Sequence, residues 1–462
     1  MIFKRDIYTE LTLWKNRDDR KPLILRGARQ VGKTTVVNHF SKNYKQYIYL
    51  NLEKEKDIQI FNNNDDVKTI IESLFLKFNL TDNYNETLLF IDEIQESSKA
   101  IHFLRYFYEE YPNLSIISAG SLLEFAFENV NSLPVGRVEF LYLSPLSFPE
   151  FLNAINHKNA TTALNTIPLK TTASNTLLEL FNTYAIVGGM PEIIKEYIKS
   201  NSFINLNRIY ESLWETYKLD IEKYGKSKTS KKIIKHVINT APFEVDKRIK
   251  FQNFGNSNYK SREIGEALRN LNDAKIIQLI YPTTNLEPPI QENLKKSPRL
   301  QFLDTGILNH ILGIQNEMIQ LKDLNNSYRG AIIPHLIAQE LIALHCTKLY
   351  KPNFWVREKN QTSSEVDLVV KFENIIVPIE IKSGSTGSLK SLHQFIERST
   401  HHYAVRMYAG ELKIEQLKTP NGKEYILLNL PYFLASQLPK YLNWFIKKNK
   451  LCTEDCKIDM SS

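Results

Sequence analysis

The sequence predicts an α/β protein built from several modules, and three observations carry that expectation. The chain has 462 residues, more than one ordinary hydrophobic core holds, which at roughly 100–200 residues per domain suggests about three. Short apolar strands alternate with helix-period stretches over residues 1–147. A second strand-rich stretch follows after residue 319, beyond a middle whose apolar residues recur at three- and four-residue spacing. The expected boundaries are an α/β core at 1–147, helices at 148–222, a basic segment at 223–318, a second α/β module at 319–446 and a polar tail at 447–462.

The first strand is Lys21-Pro-Leu-Ile-Leu-Arg26, which runs into Gly27-Ala-Arg-Gln-Val-Gly32-Lys33-Thr34 and then the helix-like Thr35-Val-Val-Asn-His-Phe40. Glycines permit a turn whose backbone N–H groups point inward, and the helix that follows adds the positive end of its dipole. Strand, glycine-flanked turn and helix in that order are the P-loop, a cradle for phosphates. Gly27, Ala28, Arg29, Gln30, Val31, Gly32, Lys33, Thr34 and Thr35 are the candidate contacts to ATP. Lys33 is expected to reach the β- and γ-phosphates, and the Thr34 hydroxyl to ligate Mg²⁺.

The strand Thr87-Leu-Leu-Phe-Ile91 ends in Asp92-Glu93, an apolar run closed by two acids. Asp92 is expected to hold the Mg²⁺ and Glu93 to orient or deprotonate the attacking water. The distance along the chain leaves room for one further strand between the two motifs. Next comes Asn113-Leu-Ser-Ile-Ile-Ser-Ala-Gly120-Ser121, a buried strand whose terminal Ser121 suits a sensor of the γ-phosphate. Leu133-Pro-Val-Gly136-Arg137 precedes the strand Val138 to Leu143, and Arg137 is either a guanidinium for transition-state charge or half of a surface ion pair.

These blocks, with Leu143-Ser-Pro-Leu-Ser-Phe-Pro-Glu-Phe151 and Gly188-Gly-Met-Pro191, resemble the prokaryotic AAA-type ATPases that carry a C-terminal domain of unknown function. The resemblance runs along nearly the whole chain. It implies a P-loop three-layer ATPase module, a helical lid, a winged-helix-like segment and a C-terminal α/β domain similar to PD-(D/E)XK nucleases. It also supports Lys33, Thr34, Asp92, Glu93, Ser121 and Arg137 in the roles above.

Phe148 to Tyr197 and Phe203 to Lys223 read as amphipathic helices broken at Gly188-Gly189-Met190-Pro191, suited to cover a nucleotide. The chain carries a net charge of +8, and Lys223 to Lys275 alone holds 13 basic and 5 acidic residues. Within it Lys231 to Asn239 and Ser261 to Leu271 are helix-like and Ile276 to Ile280 is a strand, the element order of a winged helix. Such a fold places one helix in the major groove of DNA, with Lys260, Arg262 and Arg269 as candidate contacts. The alternatives are a solvated helical surface or a protein-binding winged helix.

Further on, the pattern is a helix from Ile332 to Leu349, a strand from Phe354 to Arg357, a strand bearing Glu365-Val-Asp367, and the strand Ile375 to Gly384 bearing Glu380-Ile-Lys382. Period-two alternation puts Glu380 and Lys382 on one face, so Asp367, Glu380 and Lys382 form a candidate nuclease-like metal site. Related proteins place a further glutamate shortly after a glycine equivalent to Gly330, and here Pro334 stands in that place. Glu340, six residues on and about 240° around a helix, points elsewhere. The site is therefore expected to be impaired.

Three cysteines, Cys346, Cys452 and Cys456, form no metal or disulfide spacing, which points to the cytoplasm. No apolar run suits a signal peptide or a membrane span. His401-His402 is assigned no metal. The function expected is an ATP-driven switch acting on DNA; the alternatives are an ATP-regulated nuclease in defence or repair and a signalling ATPase that contacts a protein partner. An oligomer is compatible with all three.

Overall fold

Leu23–Arg26 forms β1 at the heart of the first sheet, because a strand covered on both faces needs an unbroken apolar run and Leu-Ile-Leu supplies one. The computed structural model describes residues 1–121, 123–128, 136–223, 225, 227–245, 247–315, 330–357, 364–382 and 389–458, except the side chains of 125, 128 and 450–458. The stretch 133–135 ahead of Gly136, the Ser383-Gly384 end of the expected strand and the side chains of Cys452 and Cys456 lie outside the described residues.

β2 (Gln46–Asn51), β3 (Thr87–Asp92), β4 (Ser115–Gly120) and β5 (Glu139–Tyr142) join β1 in the order β2-β3-β4-β1-β5, all parallel. The expected extra strand is β2 along the chain, but in space β4 separates β1 from β3. Leu23 and Leu25 face a layer that includes Val36, Val37 and Phe40, whereas Ile24 faces Ile70, Leu74, Ile101 and Leu104 on the other side. This alternation makes three layers with the glycine-flanked turn at the end of the central strand.

Helices follow at Phe148–Ala154, Lys158–Leu164, Ser174–Val187, Pro191–Ser200 and Asn207–Glu222. The break at Gly188 is enforced, since its φ is +71° and an added Cβ would lie 2.4 Å from Asp304 Oδ1. Helices Lys228–Thr240 and Ser261–Asp273 come next, then β6 (Ile277–Ile280), β7 (Pro282–Thr283) and β8 (Arg299–Phe302). β6 and β8 pair antiparallel, and β7 joins the last sheet instead.

That sheet contains β9 (Asn353–Val356), β10 (Glu365–Phe372), β11 (Ile375–Ile381), β12 (Tyr403–Tyr408), β13 (Lys413–Lys418) and β14 (Glu424–Pro431), in the order β13-β14-β12-β11-β10-β9-β7. One expectation is corrected. The helix from Ile332 ends at Ala343 rather than Leu349, because the chain leaves it to put the Cys346 carbonyl on the N–H of Tyr142 at 2.7 Å, extending the edge of β5. Helix Leu438–Ile458, free of glycine and proline after Pro439, runs across residue 447, where the polar tail is expected to begin. Among the described residues no helix is long and apolar enough to cross a membrane.

A buried polar joint locks the modules together. Glu340 is fully buried; the Phe148 N–H donates to both its oxygens at 3.0 and 3.1 Å, at the start of the helix that Ser147 and Glu150 cap. The Tyr184 hydroxyl lies 2.7 Å from the Leu146 carbonyl and 2.8 Å from Glu340 Oε1, and its single proton serves only one of them. Burial pushes the Glu340 carboxyl up to about 8, so at neutral pH it is protonated and donates to the tyrosine oxygen, which completes the set. The folded carboxyl titrates near 8 against an ordinary 4.5, so its stabilising effect is complete below 4.5 and is lost as pH rises through 8. Glu340→Gln, a neutral isostere, should remove this dependence: between pH 5 and 9 the thermal midpoint of the wild type should fall relative to that of the variant. Glu340→Ala should cost about 1–3 kcal/mol at pH 6, because it strands the Phe148 N–H in the interior.

Candidate active site

The turn after β1 is built for an anion. Gly32 has φ +99°, and an added Cβ at Gly27 would lie 2.3 Å from the Leu143 carbonyl, so neither position accepts a side chain. The ammonium of Lys33 bonds the carbonyls of Gly27 at 2.9 Å and Ala28 at 2.8 Å. Burial lowers its pKa to about 8, and among the described residues no carboxylate comes within ion-pair distance of it. A buried cation whose partners are only carbonyls of its own loop is the electrostatic demand that a phosphate meets.

Thr34 Oγ1 donates to Asp92 Oδ2 at 2.8 Å, so the hydroxyl and the carboxylate expected to share Mg²⁺ are adjacent. Burial raises the Asp92 carboxyl, and the Tyr49 hydroxyl donates to the same oxygen at 3.2 Å. Glu93 adopts a left-handed conformation at φ +52°, strain that a non-glycine residue carries only where its surroundings enforce it. Its Oε2 accepts from Gln95 Nε2 at 2.6 Å. Ser121 is buried at the end of β4 with no partner for its Oγ among the described residues. A hard-oxygen pair, a strained acid and an orphaned hydroxyl around the turn fit Mg²⁺ and a triphosphate.

A cleft of about 460 Å³ opens over the turn, lined by Arg29, Gln30, Lys33, Thr34, Thr35 and Glu93 together with Phe3, Tyr8, Pro191 and Lys195. Several of these partners were not foreseen. Arg5 is buried, donating to Val31 O at 3.1 Å and pairing with Glu150 at 3.0 Å. The Tyr217 hydroxyl donates to Arg29 O at 2.7 Å, and Asp220 pairs with the Arg29 guanidinium. Arg5 stands between Lys4 and Asp6, and Asp220 among Lys218, Glu222 and Lys223, so nothing in the local sequence singles either out.

Arg137 is not brought to this cleft. The register Leu23↔Glu139 puts it near the start of β1, at the opposite end of the strand from the turn, where it pairs with Glu109 at 2.5 Å. Within one chain it does not meet the nucleotide.

In the last sheet, Lys382 Nζ bonds Glu380 Oε1 at 2.6 Å, and Asp367 Oδ2 accepts the Ile381 N–H at 2.8 Å. Burial, aided by the charge of Asp367, raises the Glu380 carboxyl. Arg299 of β8 pairs with Glu365 and lies 3.8 Å from Asp367, so an internal guanidinium faces these acids. Pro334 and Asp367 share a small cavity of about 40 Å³. Among the described residues no group of three His, Cys, Asp or Glu side chains could hold a metal. His401 is structural: its Nε2 meets the Ile376 carbonyl at 2.8 Å and its Nδ1 accepts from Tyr403 N.

Lys260, Arg262 and Arg269 are exposed on helix Ser261–Asp273 and its cap, interleaved with Glu263 and Glu266. Lys275 is spent on Glu124 at 2.5 Å, which also pairs with Arg26.

Three family models match the chain in succession: an AAA domain at residues 19–152, a domain of unknown function (DUF8612) at 178–318 and a second (DUF4143) at 329–430. No curated protein matches. Among solved structures the Hsp104–ADP complex of S. cerevisiae is similar at 10% identity and a TM-score of 0.27, over 59% of this chain and 38% of that one. The chain thus spans well under half of that protein, and a likeness so low carries no argument. Residues 19–152 thus match an AAA domain, and their five-stranded parallel sheet with its glycine-flanked turn fits a P-loop module; the two matches that follow are to domains of unknown function.

Proposed function

We propose that this chain is a Mg²⁺-dependent ATP hydrolase that works as a nucleotide-driven switch on DNA in the cytoplasm. The supporting observation is the grip of helix Asn207–Glu222 on the phosphate loop through Tyr217 and Asp220. A γ-phosphate would offer Lys33 a counter-ion in place of the carbonyls of Gly27 and Ala28. Arg29 lies in the same turn, and its movement passes through Asp220 to the helix that leads into the basic segment. Thr34 and Asp92 would hold Mg²⁺, which when bound neutralises phosphate charge. Glu93, held by Gln95, would orient the attacking water, and Ser121 would serve as a sensor of the γ-phosphate.

Helix, helix and the antiparallel β6/β8 pair support a winged-helix reading of the basic segment, with Lys260, Arg262 and Arg269 as contacts. Arg137 would meet a nucleotide only by reaching into the cleft of a neighbouring copy in an oligomer. Asp367, Glu380 and Lys382 support a PD-(D/E)XK-like lineage for the last domain. Arg299 and Pro334 favour a site that does not cleave over the ATP-regulated nuclease. A protein partner remains the competing reading for the basic segment.

Lys33→Ala should abolish saturable binding of labelled ATP, and Glu93→Gln should keep binding while slowing phosphate release about 10²-fold or more; unchanged binding by Lys33→Ala would refute the site. Asp220→Ala should leave ATP affinity within about threefold yet remove any difference in DNA affinity between the ATP-analogue and ADP states, as read by fluorescence anisotropy. Supercoiled plasmid should stay intact with Mg²⁺ or Mn²⁺, and cleavage that Lys382→Ala removes would establish the nuclease instead.

A further inference from the structure

Helix Lys228–Thr240 starts at Ser227, whose hydroxyl accepts the Ser230 N–H at 3.1 Å, and buries Ile233, Ile234, Val237 and Ile238. Its outer face carries Lys228, Lys231, Lys232 and Lys235, all exposed. Spacings of three, four and seven residues put the four ammonium groups within an arc of about 100° and a length of about 10 Å. The helix contains no acidic residue. Among the described residues none of the four lysines makes an ion pair, whereas Lys223, Lys247 and Arg248 pair with Asp220, Glu244 and Glu365.

We propose that this face grips the phosphate backbone of duplex DNA without reading bases; the inference rests on the DNA reading above and moves its main contact from the second helix to the first. Lysines at i,i+3 and i,i+4 repel, and a line of phosphates turns that repulsion into attraction. Helix Ser261–Asp273 offers no such surplus, because Glu263, Glu266 and Asp273 offset Arg262 and Arg269. On the same face, one turn beyond Lys235, lies exposed Asn239, and exposed Thr229 flanks the lysines, side chains that suit phosphate and sugar contacts. The outer face presents no aromatic or aliphatic anchor, which protein interfaces generally use.

The test uses the full chain and two fluorescent duplexes of about 30 bp and unrelated sequence, titrated from about 50 to 200 mM KCl. Wild type should bind both within threefold and lose affinity steeply with salt. Replacing Lys228, Lys231, Lys232 and Lys235 by Ala should weaken binding at low salt and remove about 3–4 from the salt slope, which is roughly a hundredfold less affinity lost across that range. Arg262→Ala with Arg269→Ala should change binding less than threefold. Far-UV circular dichroism and thermal midpoints keep folding failure separate from lost contacts, since Ala on an exposed helix face favours the helix.

If the fourfold variant keeps the wild-type affinity and slope, this inference falls while the DNA reading stands. If wild type binds neither duplex, both fall. Binding of polyglutamate or anionic vesicles in preference to DNA, lost in the fourfold variant, would overturn the inference by assigning the face to another polyanion.

Discussion

Lys33 is buried with its ammonium resting on two carbonyls of its own turn, and among the described residues Glu93 and Asp92 offset its charge only from beyond ion-pair distance. Burying a charge is expensive unless a partner of opposite sign is near, and only part of the cost is recovered from carbonyl dipoles. Around it the chain supplies N–H groups, a hydroxyl, and acids set back on β3. The arrangement is poised for an anion that arrives from outside, and the geometry of β1, β3 and β4 follows from holding that one cation at the end of a central strand.

The turn is also where distant parts of the chain converge. Arg5 reaches it from the N-terminal segment, Tyr217 and Asp220 from the helical region, and the Leu143 carbonyl closes behind Gly27. Packed interiors resist gradual deformation, so a change at a turn held on several sides moves its neighbours together rather than being absorbed locally. The joint of Glu340, Tyr184 and Phe148 acts differently. Its hydrogen bonds satisfy one another inside the protein and tie the helix that bears Glu340 to the start of helix Phe148–Ala154.

The acids of the last sheet illustrate how neighbouring charges set what a site can hold. Asp367 and Glu380 lie on adjacent strands, an arrangement suited to a divalent ion. Here a guanidinium from β8 and the ammonium of Lys382 answer their charge, and Pro334 lines the small cavity beside Asp367. An internal cation is always present, whereas a metal must compete for the same oxygens and dehydrate first.

What the sequence determined by itself was local: the strands of the first sheet, the glycine-flanked turn, the acids closing β3 and the helix breaks, each written within about ten residues as a period or a turn residue. Helix ends were less legible, since Leu344 to Leu349 reads as helix until the edge of β5 claims the Cys346 carbonyl. Tertiary structure alone decided that Arg137 lies at the far end of its sheet, that Glu340 is a protonated joint, and that Arg299 faces Asp367. These pairings span from 28 to 192 residues of chain. Periodicity says which face a side chain takes, but only packing says what stands opposite it.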